Sequence, residues 1–143
     1  MQAIDKVAVI GAGVMGAGIA AQVANAGLPV VLLDIVPDGA KDRNVVAGSA
    51  LQKMLKTSPA PLMHPRNAKR IQVGNVEDHL QWLSDCDLVI EVVIEQLEIK
   101  QDLYRKIEQH RKPGSIVTSN TSTIPLAHLV EGLPKSFQRD FAI

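Results

Sequence analysis

The stretch Gly11-Ala12-Gly13-Val14-Met15-Gly16 constrains the fold more than any other, because of what stands on either side of it. Before it, Lys6–Ile10 is short, apolar and rich in β-branched residues, the composition of a buried strand. After it, Val14–Asn25 carries alanine at 17, 20, 21 and 24, which gives a helix with one slim side, and Gly27 is placed to close that helix in a left-handed conformation. Three glycines at this spacing, alone, occur often by chance; between a strand and a helix they carry a mechanism. Gly11 permits the tight turn, Gly13 lets a pyrophosphate approach the backbone, and Gly16 lets the helix pack closely on the sheet. The free N–H groups and the positive end of the helix dipole, beginning at Val14, then face the anion.

Val30–Leu33 is wholly apolar, as a parallel strand covered on both faces should be, and Asp34 ends it. That is about twenty residues past the glycines, where an acid binds the adenosine ribose hydroxyls of a dinucleotide. A carboxylate there repels a 2′-phosphate, and no Arg or Lys stands in the next few positions to offset it, so NAD is favoured over NADP. The alternative for Asp34 is a loop cap, since aspartate is common at such turns.

The opening is therefore strand, helix, strand, and the alternation continues. Ala40–Lys56 has helical apolar spacing until Pro59, Pro61 and Pro65 turn Thr57–Arg66 into an exposed loop. Lys69–Val73 reads as a third strand, Val76–Leu83 as a weak segment holding Trp82, and Leu88–Ile90 as a fourth strand. Glu98–His110 is an amphipathic helix with Ile99, Leu103 and Ile107 inward, and Pro113-Gly114 turns the chain into strand Ser115–Thr118. A polar loop, Ser119–Thr123, precedes a short helix, Ile124–Val130, and Phe141–Ile143 has the look of a strand just starting. Right-handed crossovers between such elements give an α/β fold of the Rossmann type, a doubly wound, mainly parallel sheet with helices on both faces.

Composition removes several other classes of function. Lys+Arg and Asp+Glu number 15 each with no run of one sign, which leaves no electrostatic footprint for nucleic acid or an anionic membrane. Val7–Leu33 holds no charge, yet its five glycines, Pro29, Gln22 and Asn25 break it into buried elements and argue against a membrane span. The lone Cys86 has no partner for a disulfide or a metal site, which fits a reducing cytoplasm. At 143 residues the chain is long enough for one domain, 1–143, and its apolar end suggests that a longer protein continues past it.

Three blocks together resemble the NAD-binding part of 3-hydroxyacyl-CoA dehydrogenases. They are Gly11-Ala12-Gly13-Val14-Met15-Gly16-Ala17-Gly18-Ile19-Ala20, Asp87-Leu88-Val89-Ile90-Glu91-Val92-Val93-Ile94-Glu95-Gln96-Leu97-Glu98-Ile99-Lys100, and Ser119-Asn120-Thr121-Ser122-Thr123. They stand in the family's order and cover nearly the whole chain. The resemblance implies that Gly11, Gly13, Val14, Met15, Gly16 and Asp34 hold the cofactor. It further implies that Val93, Ile94, Glu95 and Asn120 lie beside it, that Lys100 meets NAD or CoA, and that Ser122 hydrogen-bonds the substrate. The alternative for Glu95 and Lys100 is an exposed pair in the first turn of a helix, and Ser122 and Thr123 read equally, on sequence alone, as N-caps before Ile124-Pro125.

The family's catalytic histidine and the glutamate that orients it would fall past Ile143, as would its helical C-terminal domain. His64, His79, His110 and His128 lie in none of the required contexts. The implied activity is oxidation of (3S)-3-hydroxyacyl-CoA in fatty-acid β-oxidation, by a cytoplasmic homo-oligomer that dimerises mainly through that C-terminal domain. These 143 residues are then expected to bind NAD without turnover. The proline-rich loop after Lys56 is closer to bacterial multifunctional β-oxidation proteins than to single-function members. The competing readings are a 3-hydroxyisobutyrate or 6-phosphogluconate type dehydrogenase, which lacks the Ser-Asn-Thr-Ser block, and a non-catalytic nucleotide sensor.

Overall fold

The computed structural model describes residues 3–143. The apolar runs become parallel strands β1 (Val7–Ile10), β2 (Val30–Asp34), β3 (Ile71–Asn75), β4 (Leu88–Glu91), β5 (Ile116–Ser119) and β6 (Phe141–Ala142). They form one sheet in the order β3-β2-β1-β4-β5-β6. Helices α1 (Val14–Asn25), α2 (Val45–Lys56), α3 (Leu97–His110), α4 (Leu126–Leu129) and α5 (Lys135–Arg139) fill the crossovers. Alternate residues of each strand face opposite sides, so β1 and β2 feed two separate cores. Val7, Val9, Val30 and Leu32 pack under α1 and α2 with Ala20, Ala21 and Ala24, while Ala8, Ile10, Val31 and Leu33 join Tyr104, Ile107 and Phe137 on the other face.

The strand order reverses between β1 and β4, which both pair with the strands on their outer sides. In open α/β sheets a crevice opens at the carboxyl ends of the strands at such a reversal, and ligands bind there. Among the described residues no helix is long and apolar enough to cross a membrane.

Several expected boundaries move, each for a local reason. α2 starts at Val45 and not at Ala40, because Gly39 has φ +70° and the Asp42 carboxylate accepts the Asn44 N–H, a local bond that competes with the helix. β3 begins at Ile71, since Pro65–Arg70 forms a 3-10 turn that the His64 side chain caps by accepting the Arg66 N–H. The weak segment resolves into a second 3-10 turn, Leu80–Asp85, whose Trp82 packs against His79 with ring centroids 4.1 Å apart and planes tilted by 35°, over Gly74. Residues 115 and 119 exchange roles: Ser119 is the buried last residue of β5, where a loop was expected. The expected helix Ile124–Val130 shrinks to Leu126–Leu129, and α5 is a single turn with no periodic signature, buried through Phe137 against Tyr104 and Phe141.

Candidate functional site

The glycine turn leaves β1 with Gly11 at φ +112°, and a Cβ there would lie 2.4 Å from the Val92 carbonyl oxygen. A Cβ on Gly16 would lie 1.7 Å from the Gly11 carbonyl oxygen. These two glycines are fixed by packing within the protein. Gly13 differs: its φ is −67° and a Cβ would meet nothing within 4 Å. The fold itself does not require glycine at 13, so the space in front of it is where a ligand would. Facing that space, α1 begins with no side-chain cap and no acid in its first turn, which leaves its amides open to an anion. Val14 and Met15 stand exposed on the same turn.

Asp34 closes the turn from the β2 side. One carboxylate oxygen accepts the Ala12 N–H at 2.6 Å and the other the Ile35 N–H at 2.6 Å. The loop-tying role therefore holds, and a carboxylate with about four acceptor sites keeps two more for ligand hydroxyls. A cleft of about 670 Å³ runs from Asp34, Ile35 and Val76 past Gly11 and Gly13 to Val92, Val93 and Ile94. The nearest arginine after β2, Arg43, is held elsewhere: Asp78 at 2.7 Å and Glu77 at 2.8 Å bind its guanidinium.

Across the reversal, the ends of β4 and β5 are joined by a buried polar cluster. Glu91, fully buried, accepts four hydrogen bonds: Val93 N–H at 2.7 Å, Lys100 Nζ at 2.8 Å, the Tyr104 hydroxyl at 2.5 Å and the Ser119 hydroxyl at 2.6 Å. Burial, and then the Glu91 carboxylate, push the Tyr104 phenol well above its ordinary range, which keeps it a donor. Lys100 corrects an expectation. It is not the exposed helix residue that spacing alone allowed; its side chain is 1% exposed and spans Glu91 and Glu95, the latter at 3.3 Å. Glu91, Tyr104 and Ser119 were missed at the sequence level. The available signal was an acid inside the apolar run Leu88–Ile94, which a strand buried on both faces tolerates only with partners.

Glu95 carries the connection to the surface. Its Oε1 accepts the Thr121 hydroxyl, the Thr123 hydroxyl at 3.0 Å, and the Ser122 and Thr123 N–H groups at 3.3 Å each. These bonds, that of Thr121 foremost, lower its carboxyl from 4.5 to about 2. A carboxyl held below its unfolded value lends its loop stability that is complete above the ordinary pKa and lost as pH falls towards the folded one. The 121–123 loop should accordingly stay clamped at neutral pH and loosen between about 4.5 and about 2. Following the Glu95 carboxyl carbon by NMR through that range checks this, and a midpoint near the ordinary value sinks it.

Ser122 and Asn120 are exposed beside this clamp, and neither side chain has a partner among the described residues. Thr123 does not cap α4, whose N-cap is Pro125; its hydroxyl goes to Glu95, and Thr121 accepts the Ile124 N–H instead. Of the histidines, His64 and His79 accept local backbone N–H groups, His110 contacts its own helix and His128 sits on α4, all away from the cleft.

With the strand reversal beneath it, this edge places the chain among the Rossmann domains that bind nucleotide cofactors. It belongs to the family of 3-hydroxyacyl-CoA dehydrogenase NAD-binding domains, whose model matches residues 6–141. A Deinococcus radiodurans protein designated a probable 3-hydroxyacyl-CoA dehydrogenase is 51% identical over 96% of this chain and 40% of its own length. A Rickettsia felis protein assigned to a fatty acid oxidation complex as a trifunctional enzyme is 48% identical over 98% of this chain and 19% of its own. The chain thus spans less than half the length of these relatives. Among solved structures, 3-hydroxybutyryl-CoA dehydrogenase from Escherichia coli superposes with a TM-score of 0.76 at 28% identity, over 96% of this chain and 29% of that one.

Proposed function

We propose that the chain is the NAD-binding module of a cytoplasmic, homo-oligomeric dehydrogenase that oxidises (3S)-3-hydroxyacyl-CoA to 3-oxoacyl-CoA in fatty-acid oxidation. The observation that carries the cofactor site is the open space before Gly13, between an uncapped α1 and Asp34. The pyrophosphate belongs there, with the N–H groups of Val14, Met15 and Gly16 towards it. Adenosine then lies over the end of β2, its ribose hydroxyls on the free acceptor sites of Asp34, and the nicotinamide half lies across the reversal over β4 and β5. Val93, Ile94 and Glu95 line that half, with Asn120 and Ser122 at its far side.

Bound NAD supplies the two-electron acceptor. The protein's part is to hold the substrate carbinol: the unpartnered Ser122 hydroxyl donates to its oxygen, and the Glu95 clamp keeps Ser122 in place. The hydroxyl proton passes to a histidine that the family pattern puts just beyond the strand beginning at Phe141, and dimerisation would use the family's helical C-terminal domain. Lys100, sealed under Glu95, contacts neither NAD nor CoA directly.

Thermal melts with NAD and NADP test the cofactor site, since a ligand of the folded state alone adds about 2.7 kcal/mol at one hundred times its Kd. NAD should raise the midpoint, and NADP should leave it where it is because Arg43 is already bound to Asp78 and Glu77. Equal shifts would remove Asp34 as the selector. In a separate assay, these 143 residues should not oxidise NADH with acetoacetyl-CoA; measurable oxidation overturns the assignment of the base to a residue outside them.

A further inference from the structure

We propose that Glu91 is a positioning residue for the nicotinamide end of the cleft, acting through Lys100 and Glu95 on the loop that carries Ser122. The inference rests on the placement of NAD given above and adds a residue that touches neither cofactor nor substrate.

The path is continuous. Glu91 ends β4 and is wholly buried, so its four donors are its entire environment. Two of them set the two walls of the cleft directly. The Val93 N–H fixes the chain as it leaves β4, and the Ser119 hydroxyl fixes the last residue of β5, from which the Asn120–Thr123 loop departs. Asn120 is pinned from the same residue, its N–H donating to the Glu91 carbonyl at 2.9 Å. A third donor, Lys100, carries the effect outward: with Nζ held at 2.8 Å from Glu91, it presents its remaining charge to Glu95 at 3.3 Å. Glu95 then gathers the Ser122 and Thr123 N–H groups and the Thr121 and Thr123 hydroxyls on one oxygen.

Four bonds satisfy a buried carboxylate and do not by themselves assign it a role; its place in the fold does. A buried carboxylate is costly to desolvate and often contributes nothing net to stability. Here it stands where β4 and β5 end, beneath the loops that flank the cleft, and each of its protein partners leads into one of them or into α3. Under the adenosine half the buried polar residue is the neutral Asn75, which ties Asn44 to the 77–79 turn, while Asp34 holds the glycine turn by two backbone N–H groups; the buried carboxylate paired with a buried lysine stands at the Glu91 end.

The test compares NADH with ADP-ribose, which shares everything but the nicotinamide, using calorimetry and NADH fluorescence on the 143-residue chain. Glu91→Gln keeps the shape and removes the charge. It should weaken NADH by about tenfold, the scale of losing one good hydrogen-bonded placement, while ADP-ribose binds as before and the emission of bound NADH moves towards that of free NADH. Adding Glu95→Gln to Glu91→Gln should cost less than the sum of the two single losses, because the branch through Lys100 is shared while those through Val93 and Ser119 are not. Should Glu91→Gln fail to fold, Ser119→Ala removes one donor without stranding a charge and should show the same selective loss in smaller measure. Equal loss for both ligands, or an unchanged ratio between them, overturns the proposal. So does a wild-type chain that binds the two ligands equally. Failure to bind either ligand sinks the NAD reading itself, and this inference with it.

Discussion

Alanine at Gly16 is expected to leave the chain largely unfolded, while alanine at Gly13 should leave it folded with a much weakened hold on NAD. At Gly16 the added methyl would lie 1.7 Å from the Gly11 carbonyl oxygen, with the Val9 side chain at 3.5 Å behind it. The clash is with backbone, so no rotamer change relieves it. α1 would have to move off β1, which opens the core formed by Ala20, Ala21 and Ala24. Losses above about 4 kcal/mol are exceptional for one substitution and arise from clashes of this kind; they consume much of the roughly 5–15 kcal/mol that holds a domain together. At Gly13 the methyl meets no atom within 4 Å, and the stability cost should stay under about 1 kcal/mol, that of a poorer residue at a helix entrance. Its effect falls on the ligand, whose pyrophosphate would meet the methyl, and affinity for NAD should drop roughly tenfold or more. Circular dichroism melts and calorimetry separate the two variants. A Gly13→Ala chain that binds NAD as tightly as the parent removes the glycine turn as the phosphate site.

Lys100→Met should lower the melting midpoint by roughly 10 to 15 °C, the equivalent of about 3–5 kcal/mol for a buried charge that loses its counter-charge. Methionine has the volume to fill the space, so packing is not the cause. What changes is that Glu91 keeps three donors and loses its only cation, in a place with no access to water. The companion variant isolates this. Glu91→Gln with Lys100→Met carries no buried charge, and much of the lost stability should return. If the double variant melts as low as the single one, the loss lies in packing and the ion pair is not the cause.

The geometry of the glycine turn and the β2 end was readable in the sequence because its parts are local. Gly11, Gly13, Gly16 and Asp34 lie in one strand-helix-strand unit, and each has a reason that belongs to its own backbone. The far side was not readable in the same way. Glu91, Lys100, Tyr104 and Ser119 lie on β4, α3 and β5, up to 28 positions apart, and only the parallel register Glu91↔Ser119 brings them together. Spacing made Glu95 and Lys100 look like a surface pair, whereas the turn from Glu95 into α3 sends the longer side chain inward. Boundaries failed for a related reason. Ser119 reads as polar and hence as loop, yet a hydroxyl with a carboxylate waiting for it is at no disadvantage in a buried strand. The shift of α2 from Ala40 to Val45 was in principle visible in Asp38-Gly39 and Asp42, turn residues that the apolar spacing overrode.

The two hydrogen bonds of Asp34 have a consequence for redesign. The side chain proposed to discriminate between cofactors is also a strut of the glycine turn, so on that reading preference and local rigidity are not independent variables. An Asp34→Ala exchange meant to admit a 2′-phosphate would also strip the Ala12 and Ile35 amides of their acceptors. Any productive exchange has to keep an oxygen at that position, as serine or asparagine does, and recruit a cation from elsewhere. Drift towards NADP is then a multi-step path whose first step costs the ancestral cofactor its seat, and selection tends to leave such residues alone.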